Sequence, residues 1–241
     1  NITLMTVPKS LNMATAGVIS VKGAANANIT NCSVIDSGLT KAFVISTTGN
    51  VLIENFTMAN CALGNSANGI QSDAQGTVTM KNAVFKDNYF QVYSANTEKI
   101  NYLISITKAA WTMENVVIAN NNVLTQNGLI YVANRASLNM VDCRIKNNTV
   151  SPFSKTVYPA IFYLYGSSSS GYGSLDIQQS VISDNKDICY IFRKGSGSAV
   201  LSANYNNIHN NTLVPNGNAG NVGGTITANN QGEYNLDNNW W

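Results

Sequence analysis

The chain has 241 residues, a formal net charge of +2 at pH 7, and 11% charged residues, less than half of the usual share of about 25%. It contains 37 Asn residues but only four Glu. Asn, Thr, Ser and Val are weak helix formers, so this composition excludes an all-helical fold. The Lys and Arg residues are scattered singly, which argues against a nucleic-acid partner, and no apolar run approaches the ~20 residues of a membrane span.

The two ends of the chain suggest that it belongs to something larger. Asn1-Ile2-Thr3 has neither the basic nor the apolar region of a signal peptide, and the last residues are Trp240-Trp241. We therefore expect a fragment of a longer extracellular chain, in which residues 1–241 form a single domain.

One pattern recurs along the sequence: two apolar residues in alternation, then an Asn-like anchor, an apolar residue three positions later, and a final Asn. The copies start, in chain order, at Asn28, Val51, Val78, Trp111, Leu138, Leu175 and Ala203. Anchor positions 31, 55, 82, 115, 142 and 179 are 24, 27, 33, 27 and 37 residues apart. A constant minimum spacing between anchors, with a variable number of additional residues, is typical of a solenoid with loop insertions.

A further alternating stretch follows most copies. These stretches are Ala42–Ser46, Tyr102–Ile106, Gly128–Val132, Ala160–Leu164 and Ile188–Phe192. Three short strands and no helix in ~24 residues predict a right-handed parallel β-helix of about eight rungs, with a pectate-lyase-like architecture. A leucine-rich repeat, a propeller and a sandwich fit the pattern less well.

Stacked rungs predict columns of equivalent side chains. Two apolar columns are expected to point inward: Ile53-Met80-Met113-Met140-Ile177 and Met58-Phe85-Ile118-Ile145-Ile182. Two Asn columns are candidates both for left-handed corners and for hydrogen-bonded ladders: Asn31-Asn55-Asn82-Asn115 and Asn88-Asn121-Asn148-Asn185.

The cysteines stand alone, at Cys32, Cys61, Cys143 and Cys189. Cys32 and Cys143 share a column but lie four rungs apart, roughly 19 Å, which is beyond the reach of a disulfide. We expect four mostly buried thiols. With one His, His209, in an Asn-rich turn and no C-x-x-C, we expect neither a metal nor a cofactor.

The repeat ends resemble those of known β-helical surface proteins. Phe85 to Asn88 matches the F-x-x-N of bacterial polymorphic outer-membrane proteins, whose Gly-Gly-Ala-Ile motif is absent here. Asp237-Asn238-Asn239-Trp240-Trp241 resembles a motif of the adhesin-like proteins of methanogenic archaea, which are also Asn-, Thr- and Ser-rich β-helices. This resemblance implies an extracellular, cell-surface protein that sticks to other cells or surfaces.

Six N-x-S/T sequons fit the glycosylation of a secreted protein, although an Asn-rich chain also acquires them by chance. They lie at Asn1, Asn28, Asn31, Asn55, Asn147 and Asn210.

No predicted column places two carboxylate side chains on neighbouring rungs. The column Asp36, Asn60, Asp87, Asn120, Asn147 and Asp184 stacks no two of them, and Asp73, Glu98, Asp187 and Glu233 stand singly. Sugar hydrolysis needs two carboxylates around one bond, so we expect no catalytic residues. Asp184 and Asp187 are interpreted as a polar turn rather than a Ca²⁺ site.

The sharpest binding hypothesis concerns the further strand of each repeat. If Ile130, Val132, Phe162, Leu164, Tyr190 and Phe192 point inward, alternation sends Tyr131, Tyr163, Tyr165, Arg135 and Arg193 outward. Exposed aromatic rings with polar tips suit a binding surface for sugars. A one-residue slip would bury the tyrosines instead, and burial of Tyr131 and Tyr163 would contradict the hypothesis.

Two insertions, residues 91–101 and 151–173, are further candidates for contact loops. Together these observations favour a rod that mediates cell–cell or cell–surface contact through glycans or proteins, without catalysis. Two alternatives stay open: a self-assembling subunit of an extracellular filament or sheath, joined through its open rungs, and a polysaccharide lyase or hydrolase.

Overall fold

The computed structural model describes residues 3–5, 18–39, 41–64, 68–90, 102–125, 128–152, 158–195, 198–212, 224–227 and 234–241. All regular structure in these ranges is β-strand, and the strands stack in parallel along a single solenoid. From residue 19 to residue 152 the chain visits sheets 1, 2, 3 and 4 in turn and then returns to sheet 1 one rung further on, whereas the described residues after 152 add no strand to sheet 4. The predicted parallel β-helix is confirmed. Within the described ranges there is no helix with the length and apolar character of a membrane span.

Sheet 1 contains the further strand of each predicted repeat. Its strands are β2 (Ile19–Gly23), β6 (Phe43–Thr47), β10 (Asn68–Ser72), β14 (Tyr102–Thr107), β18 (Gly128–Ala133), β22 (Ala160–Ser167), β26 (Tyr190–Lys194) and β29 (Gly224–Thr227). The short strand β23 (Gly171–Tyr172) pairs antiparallel with β22 and closes a hairpin.

Sheets 2 and 3 contain the two strands on either side of the anchor position. Sheet 2 consists of β3 (Ala27–Thr30), β7 (Val51–Glu54), β11 (Thr77–Lys81), β15 (Ala110–Glu114), β19 (Ser137–Val141), β24 (Ser174–Gln178), β27 (Val200–Asn204) and β30 (Tyr234–Asn235). Sheet 3 consists of β1 (Thr3–Met5), β4 (Ser33–Ile35), β8 (Thr57–Ala59), β12 (Val84–Lys86), β16 (Val117–Ala119), β20 (Arg144–Lys146), β25 (Val181–Ser183) and β28 (Asn207–His209).

A fourth sheet is the main difference from the sequence prediction of three strands per rung. Its strands are β5 (Gly38–Leu39), β9 (Ala62–Leu63), β13 (Tyr89–Phe90), β17 (Asn122–Thr125) and β21 (Thr149–Pro152). Three of these five strands have only two residues, which is too few to show a period of two in the sequence.

The core is a continuous apolar column inside the rod. The register aligns Ile53, Met80, Met113, Met140 and Ile177 in sheet 2. It aligns Met58, Phe85, Ile118, Ile145 and Ile182 in sheet 3. All ten side chains are fully buried, so both predicted columns are confirmed.

The first corner, between sheets 2 and 3, turns on the anchor residues. Each of them has a positive φ: Asn31, Asn55, Asn82, Asn115, Asp142, Gln179 and Tyr205, with values of 51–58°. A short polar side chain tolerates this left-handed conformation better than other side chains, which explains the preference for Asn. The amide of Asn115 also donates to the Asn82 side chain at 2.9 Å.

At the second corner, between sheets 3 and 4, two neighbouring residues have different structural roles. The left-handed residue is the first of the pair, such as Asp87 or Asn120. The second residue forms a ladder, buried at Asn88, Asn121, Asn148 and Asn185 and half-buried at its end, Asn211. The prediction that the Asn88 column forms a ladder is confirmed, whereas its predicted left-handed role belongs to the preceding column.

The cysteines are all buried, and none of them forms a disulfide. Cys32 and Cys143 lie just after the first corner, and Cys61 occupies the ladder column one rung before Asn88. Burial raises the pKa of the Cys143 thiol to about 11. The expectation of buried thiols is confirmed.

Candidate functional site

The outward face of sheet 1 carries the predicted aromatic residues. The register aligns Tyr131 with Tyr163, and Tyr163 with Arg193, on β18, β22 and β26. The inward partners Ile130, Val132, Phe162, Leu164 and Phe192 are fully buried. The predicted orientation of these strands is therefore correct, with Tyr190 half-buried at the start of β26.

Four tyrosine rings form one cluster on this face, which we call the tyrosine surface: Tyr102, Tyr131, Tyr163 and Tyr165. Tyr102 stacks on Tyr131 with the ring centroids 4.3 Å apart and the planes at 8°. Tyr131 lies 5.7 Å from Tyr163 and 6.4 Å from Tyr165, again between centroids. Such spacings are typical of favourable aromatic pairs, so the rings support one another.

Tyr163 corrects the sequence prediction. Its side chain points outward but is only 7% exposed, so its predicted exposure is wrong. The Arg193 guanidinium lies 4.6 Å from its ring centroid, and Gly195 approaches its hydroxyl end so closely that a Cβ there would lie 2.3 Å from the oxygen. Tyr163 is thus the buried member of the tyrosine surface, whereas Tyr165 is 38% exposed.

Burial perturbs the pKa of two phenols of the tyrosine surface, Tyr131 and Tyr163. Burial raises the pKa of Tyr131 to about 12, with a smaller contribution from Tyr163 and Tyr165. Burial also raises the pKa of Tyr163, and the positive charge of Arg193 opposes that effect. Both phenols therefore stay protonated at neutral pH and keep an O–H donor.

The two arginines occupy different places beside these rings. Arg193 is half-buried, its Nη1 donates to the Tyr158 carbonyl oxygen at 2.9 Å, and its guanidinium lies 5.6 Å from the Tyr158 ring. Arg135 is exposed and follows β18 in a left-handed conformation, with φ 70°. Its side chain lies against Gly171 of the hairpin, where a Cβ would lie 2.2 Å from Arg135 Cγ.

Two tyrosines were not predicted here from the sequence: Tyr102, a member of the tyrosine surface, and Tyr158, which contacts Arg193 beside it. Tyr102 begins a predicted strand, but it lies three residues before Ser105, the register partner of Tyr131, so its stacking on the Tyr131 ring is not visible in the sequence. Tyr158 precedes its strand and meets Arg193 through the fold alone. The clustering of tyrosines on neighbouring copies of one strand was the only sequence signal available.

The burial of Lys194 was not predicted from the sequence either. It aligns with Leu164 in the inward column of sheet 1 and is 3% exposed. Desolvation lowers the pKa of its ammonium group.

A second candidate site is a polar groove of about 400 Å³ at the first corner. Its lining comes from three successive rungs: Lys81, Asn82, Glu114, Asn115, Val141 and Asp142. Lys81 Nζ lies 2.8 Å from Glu114 Oε2, with both side chains partly exposed. Two carboxylates, Glu114 and Asp142, thus line one groove, and neither was among the candidate site residues predicted from the sequence.

The remaining predicted residues lie at corners and on loops. Asn28, Asn31, Asn55, Asn147 and Asn210 of the sequons are all exposed, whereas Asn1 lies outside the described residues. His209 is half-buried at the end of β28, and Asp187 accepts a hydrogen bond from Ser151 Oγ at 3.1 Å. The insertion 91–101, which contains Glu98, and the residue Glu233 also fall outside the described ranges. Among the described residues, no three His, Cys, Asp or Glu side chains gather as a metal site.

No protein-family model and no curated protein matches the chain. Among solved structures, it is similar to a mutant tailspike protein of E. coli bacteriophage HK620 in complex with a pentasaccharide, at 10% identity and a TM-score of 0.30. The match covers 89% of this chain and 48% of the tailspike chain, so the chain spans about half of that protein's length. A similarity this low carries no argument about function.

Proposed function

We propose that the protein is an extracellular, cell-surface rod that binds glycans through the tyrosine surface on sheet 1. The observation that carries the proposal is the cluster of four tyrosine rings on three neighbouring strands, with centroids 4.3–6.4 Å apart. Flat rings with polar tips stack on the apolar faces of sugars while their hydroxyl groups donate to sugar oxygens.

The architecture supports this proposal. The strands of a β-helix hold the rings on a rigid scaffold, and mutual stacking limits their rotamers, so little conformational entropy is lost on binding. Adhesive contact through several such rods would gain from multivalency. The exposed Trp240 and Trp241, which carry the resemblance to archaeal adhesin-like proteins, are 77% and 59% exposed. Membership in that family, the cell-surface location and the absence of catalysis stay predictions.

The test is binding of the purified chain to an array of polysaccharides and whole cell walls. The variant carries Tyr131→Ala and Tyr165→Ala, and leaves the buried Tyr163 in place to protect the fold. The control is Tyr205→Ala, because Tyr205 is 63% exposed but lies at the first corner, away from the tyrosine surface. We expect saturable binding by the wild type and the control, and a loss of at least about tenfold in affinity in the double variant. No binding by the wild type, or equal binding by the double variant, would contradict the proposal.

A second candidate function, glycoside hydrolysis, has one observation in its favour: Glu114 and Asp142 line the same groove. Two carboxylates across one bond are the chemical requirement for that reaction. Release of reducing ends from array-positive polysaccharides, lost in Glu114→Gln and in Asp142→Asn but kept in Lys86→Gln, would establish it. Lys86 is the control because it is exposed on sheet 3, outside the groove.

A further inference from the structure

The charges of the rod are segregated between its faces. The eight stacked strands of sheet 1 contain no Asp or Glu and three cationic residues: Lys22 and Arg193 on the outward face, and Lys194 in the inward column. Sheet 2 has the opposite balance, with Glu54, Glu114 and Asp176 against Lys81. Because the whole chain has 14 basic and 12 acidic residues, the absence of acids from sheet 1 is a local property.

The cationic character is strongest where the tyrosines lie. Arg193, on β26, packs over the ring of Tyr163 on β22. Arg135 follows β18 and lies beside the hairpin. Lys108, exposed at the end of β14, adds a charge on the preceding rung. The connecting residues 134–136 and 168–170 contain no Asp or Glu, and the exposed acid at the corresponding end of β10, Asp73, lies beside Lys108 and two rungs before Arg135.

Arg135 is held against the hairpin that follows Tyr165. In the register Ala133 aligns with Tyr165, and Arg135 lies two residues after Ala133. Gly171 pairs with Ser167, which lies two residues after Tyr165. Arg135 and Gly171 are therefore on neighbouring segments just beyond the Tyr165 position. Gly171 itself has a φ of 78°, and the absence of a Cβ lets the Arg135 side chain lie against the hairpin backbone. The hairpin therefore orients an exposed guanidinium at the border of the tyrosine surface.

We propose that the tyrosine surface selects acidic glycans, with the carboxylate of a uronic acid unit bound by Arg135 while a sugar face lies on Tyr165 and Tyr131. A guanidinium fork matches the geometry of a carboxylate, and charged hydrogen bonds are stronger than neutral ones. This inference rests on the proposed function and adds the substrate class to it.

The experiment compares one polymer in two charge states: polygalacturonate, and the same polymer with its carboxylates methyl-esterified. We expect the wild type to bind the acid form at least about tenfold more tightly than the ester, since a hydrogen bond to a charged group is worth more than one to a neutral group. Added salt should weaken binding of the acid form only. Polyglutamate, an acidic polymer without sugar rings, should bind poorly.

The variants separate Arg135 from the general charge of the face. Arg135→Gln should reduce affinity for the acid form about tenfold and leave the ester unchanged, and Arg135→Lys should keep part of the preference. Lys22→Gln is the matched control, because it removes one charge from the same sheet four strands away from β18, roughly 19 Å. Thermal unfolding of all variants shows that the rod is intact.

The possible failures are distinct. Equal binding of the acid and the ester, or an Arg135→Gln variant that behaves like Lys22→Gln, would overturn the acidic preference and leave glycan binding in place. Polyglutamate binding as tightly as polygalacturonate would also overturn it, because the surface would then attract any polyanion. No binding to any glycan on the array would overturn both proposals.

Discussion

Individual asparagines stabilise the rod in two chemically different ways. In the corner columns they accept a left-handed backbone, and in the ladder they satisfy buried polar groups. From Asn88 to Asn185, each ladder amide donates both to the next Asn and to a backbone carbonyl: Asn121 Nδ2 lies 2.9 Å from Asn148 Oδ1 and 3.0 Å from the Phe85 oxygen. Its own Oδ1 accepts from the backbone N–H and the side chain of Asn88. Ladder residues are therefore less replaceable than corner residues.

Replacement of Asn121 by Ala should lower the free energy of unfolding by about 3 kcal/mol, because several buried donors and acceptors lose their partners at once. Asn122→Ala, one residue further on, is the control, since that side chain is exposed. Denaturant titration followed by circular dichroism measures both. A ladder variant as stable as the control would show that the ladder does not contribute to stability.

Tyr131 should make the rod sensitive to alkali. Its folded pKa of about 12 lies above the ordinary value of 10, so its contribution to stability is complete below pH 10 and disappears as the pH rises through 12. Spectrophotometric titration of the phenols should show a late-titrating group that is missing in Tyr131→Phe. Thermal unfolding of that variant should depend less on pH between 10 and 12, and an unchanged dependence would contradict this assignment.

Strands and corners differ in how well the sequence predicts them. The strands of sheets 1, 2 and 3 follow from alternation, and both inward columns are correct because each inward position is apolar in successive copies. The two-residue strands of sheet 4 could not be predicted, because pairing with neighbouring rungs defines them. The burial of Tyr163 was equally hidden, since it depends on Arg193 and Gly195 from the following rung. The groove at Glu114 joins three rungs in the same way.

The first corner at Tyr205 carries an unfavourable residue. Tyr205 has a φ of 58° where other rungs have Asn, and a bulky side chain pays more for that conformation. Tyr205→Asn should therefore raise the free energy of unfolding by about 0.5–1 kcal/mol, measured by denaturant titration. Tyr205→Ala, which lacks the local hydrogen bonding of Asn, should gain less. A destabilised Asn variant would mean that the Tyr205 ring makes a contact of its own.

At the scale of the whole molecule, the rod is a stack of rungs that each contact mainly their neighbours. In the described ranges every sheet pairs its strands in rung order, without a strand that skips a rung. Solenoids of this kind have stabilities that are roughly sums over rungs and the interfaces between them. The repeat, the fold and the position of the tyrosine surface could be predicted from the sequence, because the columns of equivalent residues indicate the order of the rungs. The binding chemistry was not, because it arises between rungs.

Deletion of residues 55–81 removes one rung and joins Glu54 to Asn82, which occupies the same column as the lost Asn55. We expect this shortened chain to fold into a β-rich rod, and to keep glycan binding because the deletion contains no part of the tyrosine surface. Deletion of residues 55–68, about half a rung, should abolish cooperative unfolding because it shifts every later column. Circular dichroism, gel filtration and the binding assay distinguish the two, and equal behaviour of both deletions would contradict the stacked-rung description.

The asparagine ladder also has a genetic consequence. Each ladder residue brings one acceptor oxygen for the rung before it and one amide donor for the rung after it, so a duplicated or deleted rung leaves the count of donors and acceptors balanced. A point substitution in the same column unbalances it. Recombination between repeats can therefore change the length of the rod with little penalty, whereas base changes that replace the Asn of these codons are penalised. Lineages carrying such a gene should vary in copy number more readily than in the identity of the ladder residue.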